Sequence, residues 1–149
     1  MTSLIKNIGL SISLLFAAVG CQSQPGADVA TKQLTLTGQV WQLTTLAGNK
    51  AVSGDNNNTV NIEFLAENNT YRGFAGCNNY SGSYMAKAEK LELGPARATR
   101  KYCAQSSTQE SVLFKAMAAV STYRIDNKTF TLKDDLNQVL AVFIAVATK

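Results

Sequence analysis

The chain contains no histidine. That absence removes the side chain most used as a general acid or base near neutral pH. It also removes Ser-His-Asp, Cys-His and histidine-based metal chemistry. Charge is sparse as well: Asp, Glu, Lys and Arg make up 16% of the residues, and the formal net charge is +4. So small and scattered an excess argues against nucleic-acid binding. No stretch reaches the roughly 20 apolar residues that a membrane-spanning helix needs. The late run Val139–Ala147 has the length of a buried strand. Hydrophobic residues make up 46% of the 149 positions, which is ordinary globular usage and enough for one domain.

What is present at the N-terminus reads as an address. Met1–Asn7 carries Lys6, and Ile8–Val19 is apolar apart from two serines and a glycine. A core of about a dozen residues fits a signal peptide and is too short to span a bilayer. Ala18-Val19-Gly20-Cys21 resembles the lipobox of bacterial lipoproteins, although Ala18 stands where Leu is commoner. The resemblance implies cleavage after residue 20 and lipid attachment at Cys21, and Gln22 after the cysteine implies sorting to the outer membrane. Acyl chains contribute about 0.8 kcal/mol per buried CH₂, so two or more hold a protein stably on a bilayer. Residues 21–33, with Ser23, Pro25 and Gly26, read as a lipidated start and flexible tether. Removing Lys6 with the signal leaves a net charge of +3.

There are three cysteines. If Cys21 is lipidated, Cys77 and Cys103 remain as an even pair in an oxidising compartment and are expected to form a disulfide. The loop so closed corresponds to roughly 3–4 kcal/mol in the chain-entropy description. The spacing is not C-x-x-C, which argues against a redox pair.

From residue 34 to 149 the pattern is that of a single domain. Gln39–Leu46 reads as a strand with Trp41 as a core anchor. Ala47–Lys50 reads as a turn and Ala51–Thr59 as a polar loop. Val60, Ile62 and Phe64 alternate with Asn61 and Glu63, and Glu67-Asn68-Asn69 supplies a turn, so Val60–Cys77 is expected to be a hairpin. Tyr80–Ala86 and the Leu91/Leu93 segment continue as strands. Ser107-Thr108-Gln109-Glu110 fits a capping box, in which Glu110 reaches back to the first amides. Leu113, Met117 and Val120 follow at helical spacing, so a helix is predicted over Thr108–Val120. Tyr123–Ile125, Thr129–Leu132 and Val139–Ala147 read as closing strands. The expected fold is α+β: one antiparallel, strand-rich, barrel-like sheet curled around one main helix.

Four stretches carry a family resemblance. They are Trp41-Gln42-Leu43, the run Gly73-Phe74-Ala75-Gly76-Cys77-Asn78-Asn79-Tyr80-Ser81-Gly82-Ser83-Tyr84, the segment Ala98-Thr99-Arg100-Lys101-Tyr102-Cys103, and Glu110 ahead of a helix. Together they resemble the META domain of HslJ-like heat-shock lipoproteins, over about residues 34–146. Lys101-Tyr102 stands where members often have Met-Ala. The resemblance implies a small barrel-like α+β fold with no established enzymatic activity, and loose links to heat shock, novobiocin resistance, secretion and motility.

In the long motif, Gly73, Gly76 and Gly82 allow close approaches or unusual backbone angles, Asn78 is expected to bond to nearby backbone, and Tyr80 and Tyr84 share a strand face. The motif reads first as architecture, with a binding surface at Gly76, Asn78, Tyr80, Gly82 and Tyr84 as the alternative. Arg97, Arg100 and Lys101, joined by Lys87 and Lys90, are candidates for a basic patch toward lipopolysaccharide phosphates or an acidic envelope protein; a solvated loop is the plainer reading. Asp134-Asp135 with Asn137 reads as a turn rather than a calcium loop. No catalytic residue, metal or cofactor is expected, and the domain is expected to be a monomer. The leading function is a non-catalytic, periplasm-facing binding domain in envelope maintenance under stress. The alternatives are a pilot-like adaptor for a secretion or efflux machine and an enzyme working with carboxylates alone.

Overall fold

The computed structural model describes residues 34–146. The signal segment, Cys21 and the tether lie outside the described residues, as does Ala147 at the end of the expected last strand. Ten strands and one α-helix are found among the described residues: β1 Val40–Leu46, β2 Asn49–Lys50, β3 Asn61–Leu65, β4 Thr70–Phe74, β5 Asn79–Lys87, β6 Lys90–Leu93, β7 Arg97–Ala98, α1 Ser107–Ala119, β8 Thr122–Asp126, β9 Thr129–Lys133 and β10 Val139–Val146. The expected hairpin is β3–β4, and the predicted helix begins and ends one residue earlier than expected. Asn49 and Lys50, expected within a turn, pair instead with the end of β1.

The strands run in the order β10-β9-β8-β6-β5-β4-β3-β1, and β1 then pairs with β10, so eight antiparallel strands close a barrel. Alternation explains who lines it. Ile62 and Phe64 on β3, Tyr71 on β4, Phe130 and Leu132 on β9, and Ala141 and Phe143 on β10 are all buried, while the residues between them face outward. Phe130 sits at the centre, with ring centroids 5.0 Å from Trp41, 5.7 Å from Phe64 and 5.5 Å from Phe143. Aromatic packing of this kind adds about 0.5–1.5 kcal/mol per pair beyond burial. Register shifts at Leu43/Thr45 and Val139/Ala141 bend the two strands that close the sheet.

The closure is uneven. β3 and β4 pair with each other along their full lengths, and all of β4 pairs with Asn79–Ser83 of β5, whereas β6 and β8 share the single pair Lys90↔Thr122. Two backbone bonds reinforce that seam, Leu91 N–H to Ser121 O at 3.0 Å and Tyr123 N–H to Glu89 O at 2.8 Å.

The two barrel ends are closed differently. Helix α1 covers the end where β3 and β5 begin, burying Leu113, Ala116 and Met117, with Phe114 edge-on to Tyr80 at 5.5 Å. At the other end the chain arrives through Leu34–Leu36, beside the β5–β6 turn and β8. Leu36 is buried there, and its carbonyl accepts the Trp41 indole N–H at 2.9 Å.

Candidate functional site

Two tyrosine–glycine pairs set the β4–β5 hairpin. Tyr71 faces Gly82, and Tyr80 faces Gly73. Each ring lies across the glycine opposite it. Tyr71 Oη thereby donates to Gly94 O at 2.6 Å, and Tyr80 Oη donates to Asn61 O at 2.9 Å. A Cβ on Gly82 would stand 2.4 Å from Tyr71 Oη, and one on Gly73 would stand 2.8 Å from Tyr80 Oη and 2.1 Å from Asn61 O. Burial pushes the Tyr71 hydroxyl up to about 12. The Tyr80 hydroxyl is raised further, by burial first and then by the neighbouring Tyr71. Tyr80 and Tyr84 therefore line the core and offer no outer surface. Gly82 is half-buried under Tyr71. The binding-surface alternative is corrected for these positions, because the strand alternation turns both tyrosines inward.

The hairpin hands the chain to the turn Gly76-Cys77-Asn78. Gly76 has φ of +112°, which L side chains rarely adopt. Cys77 is joined to Cys103, with Cα atoms 5.7 Å apart. Asn78 is 3% exposed and its side chain is fully used. Oδ1 accepts from Lys101 N–H at 2.8 Å and from Thr99 Oγ1 at 2.7 Å. Nδ2 donates to Lys101 O at 3.1 Å and to Glu110 Oε1 at 2.8 Å. The Asn78 backbone N–H donates to Glu110 Oε2 at 2.9 Å. These partners lie 21 to 32 residues away, not in the adjacent backbone that was expected.

The same contacts correct the capping box. Ser106, not Ser107, precedes the helix, and its side chain makes no capping bond. Its dihedrals are already helical, φ −112° and ψ −9°, whereas a capping hydroxyl needs an extended residue. Among the described residues, the buried Ser106 Oγ lacks a hydrogen-bond partner. Glu110 stays in the first turn, where the helix dipole favours a carboxylate, but turns outward from the helix to hold Asn78.

Two loops converge over this turn. In one, Asp55 N–H donates to Gly76 O at 2.6 Å and Asn58 N–H to Asp55 O at 3.1 Å. Asn56 and Asn57 adopt left-handed backbone angles, φ 52° and 58°. Gln109 ties the start of this loop to the helix through paired amide bonds with Val52, 2.8 and 2.9 Å. The other loop is Arg100–Ser106, held by Asn78 and the disulfide. Between them lies a cleft of about 770 Å³, lined by Asp55, Asn56, Asn57, Lys101, Tyr102 and Gln105 among others. Tyr102 is 85% exposed.

The basic residues do not gather into one patch. Arg100 and Lys101 belong to the loop at the cleft, and Arg97 pairs with Ser81 on the barrel wall. Lys87 and Lys90 pair with each other at the far end of β5. At about 3.3 Å per residue, β5 carries Lys87 about 30 Å along the strand from Asn78. Sequence proximity in a hairpin arm does not survive as spatial proximity. Among the described residues, no three Cys, Asp or Glu side chains cluster so as to hold a metal ion. The sequence reading missed the Asp55–Asn57 wall, Thr99 and the partner of Glu110. The Asp55–Asn58 run, with its tolerance for left-handed angles, was the available signal for the wall.

The META domain family profile matches residues 33–147. The chain belongs to the META domain family. No curated protein matches it. Two solved structures share the META domain fold seen here. One is a protein from Burkholderia xenovorans solved by NMR, with a TM-score of 0.62 and 22% identity over 76% of this chain and 85% of that one. The second, also solved by NMR, has a TM-score of 0.58 and 21% identity over 74% of this chain and 95% of that one. At these identities the likeness concerns the fold. Within the META domain, the Gly76-Cys77-Asn78 turn is thus the joint from which both cleft loops hang.

Proposed function

We propose that this protein is an outer-membrane lipoprotein, anchored through Cys21, whose META domain is a non-catalytic binding module serving envelope maintenance under stress. The observation that carries the binding role is the cleft. Both its walls are fastened to one buried turn, and its rim presents an exposed aromatic. A surface organised before binding loses less entropy when a partner arrives, and aromatic anchors dominate binding energy. The chemistry of the cleft supports a non-catalytic reading. Glu110 is committed to Asn78, and among the described residues lining the cleft Asp55 has no second carboxylate beside it, of the kind that histidine-free acid–base work requires. The anchor rests on Ala18-Val19-Gly20-Cys21 and on the pairing of the two other cysteines.

Cys21→Ser should move the protein from the membrane to the soluble periplasmic fraction; unchanged fractionation refutes the anchor. For binding, a photo-crosslinking residue at position 102 should capture envelope components in living cells. The same residue at the exposed Met85, on the outer barrel wall, should capture far less. Equal capture at both positions, or none at 102, refutes the binding role. A single stoichiometric protein adduct would turn the reading toward an adaptor.

A further inference from the structure

We propose that the cleft between residues 53–57 and 101–106 takes a short neutral oligosaccharide, with Tyr102 as the stacking platform. This deepens the binding role and rests on it. The lining decides the class of ligand. Tyr102 offers a flat ring at the rim, suited to the apolar C–H face of a pyranose. Asn56, Asn57 and Gln105 supply both amide donors and carbonyl acceptors, the mixed set that hydroxyl groups require. Asp55 and Lys101 bring one charge of each sign to the same cleft. A phosphate drawn by Lys101 would meet the Asp55 carboxylate, so the cleft is poorly matched to the lipopolysaccharide phosphates that the basic residues first suggested. An apolar peptide would find little beyond Tyr102 and Ala104 to bury against. A volume of about 770 Å³ is within the range of roughly 300–1,000 Å³ typical of small-ligand sites.

The width of the cleft is set by the buried turn. One wall hangs from Gly76 O through Asp55 N–H. The other hangs from Asn78 and from the Cys77–Cys103 bond. The family motif, buried though it is, acts on the ligand by holding the two walls at a fixed separation. Asn78 and the disulfide are positioning groups in this scheme, and Tyr102 and Asp55 are contact groups.

The test is an amide chemical-shift titration of the oxidised protein with triacetylchitotriose, maltotriose and inorganic phosphate in turn. At least one of the two sugars should shift amides confined to 54–57 and 101–106. Phosphate should leave them in place. Tyr102→Ala, at a side chain that is largely exposed, should keep the folded spectrum and weaken the sugar roughly tenfold, the scale of one lost anchor contact. Reduction of Cys77–Cys103 should abolish the sugar shifts while the barrel resonances of β3 and β9 persist. Silence from both sugars, a response to phosphate alone, or wild-type affinity in Tyr102→Ala would each overturn the proposal. If the sugars are inert while the crosslinker at position 102 still captures protein, the oligosaccharide assignment falls and the binding module stands. If neither responds, both fall.

Discussion

The β3–β4–β5 wall and the β6–β8 seam belong to one barrel yet are secured in opposite ways. The wall has complete ladders, two tyrosines threaded across glycines, and a disulfide with a saturated asparagine at its end. The seam has one residue pair and two supporting backbone bonds. Both bury apolar side chains, so burial alone does not separate them. The difference is in redundancy. The wall is held by interactions that depend on one another, and it is the wall that carries the cleft. Precision is concentrated where the two loops must be aimed, and the rest of the barrel is closed with the minimum that completes a sheet.

That contrast can be broken in order of expected effect. Asn78→Ala removes four side-chain hydrogen bonds, one of them to a carboxylate, and should cost about 4 kcal/mol by urea unfolding. Loss of the disulfide in Cys77→Ala/Cys103→Ala should cost about 3–4 kcal/mol. Because both act on the same loop, their combination should cost less than the separate losses together. Full additivity would show that they are independent fasteners, not one joint. Gly82→Ala forces a methyl into the Tyr71 ring and should cost about 2–3 kcal/mol. A loss near zero would mean that the ring has room to move, and that the fit of Tyr71 over Gly82 does not secure the wall.

Hydrogen exchange examines the seam directly. The Leu91 and Tyr123 amides should open with about 2 kcal/mol less protection than the amides of β4. Equal protection would erase the contrast. Alkaline pH examines the wall. The Tyr71 hydroxyl titrates near 12 when folded and near its ordinary 10 when unfolded. Stability is therefore intact below pH 10, and falls as the unfolded state ionises first, up to about pH 12. Tyr71→Phe should start with less stability at neutral pH, about 1 kcal/mol for the lost bond to Gly94, and show a shallower alkaline decline. An identical decline would place the titration elsewhere. Ser106→Ala should change stability least, by under about 0.5 kcal/mol, since the hydroxyl it removes has no partner among the described residues. A loss beyond that would reveal a role for the hydroxyl in the helix start.

Much of the barrel was legible in the chain because alternation is local. Val60, Ile62 and Phe64 announce β3, and Leu113 and Met117 announce the buried face of α1. The disulfide was legible by arithmetic. What was not legible depends on closure. The β1–β10 pairing brings residues as distant as Val40 and Val146 together, and no local pattern encodes it. Ser107–Glu110 has the spacing of a capping box, yet Asn78 competed for the carboxylate and won, offering two donors in fixed geometry. Lys87, Lys90 and Arg97 are near neighbours in sequence, but β5 carries the first two to the other end of the barrel. In the motif itself, the glycines showed that close approach was needed without showing which ring would fill the space.

Those glycines have a consequence for how the chain finds its pairing. A strand can slip by two residues and keep every side chain on its proper face, so inward-outward patterning cannot forbid such errors. In the β4–β5 hairpin a slip of two in one direction would set Tyr71 against Tyr84, and in the other against Tyr80. Only the native pairing presents both rings with an empty position at once. Tyr71 with Gly82 and Tyr80 with Gly73 thus work as a vernier: two scales that coincide at a single reading. Because the hairpin ends in Gly76-Cys77-Asn78, that reading also decides where Cys77 meets its partner. A slip of two would displace the turn by about 7 Å along the strand. The cleft is aimed, in this sense, by two missing side chains, at Gly73 and Gly82, that do not line it.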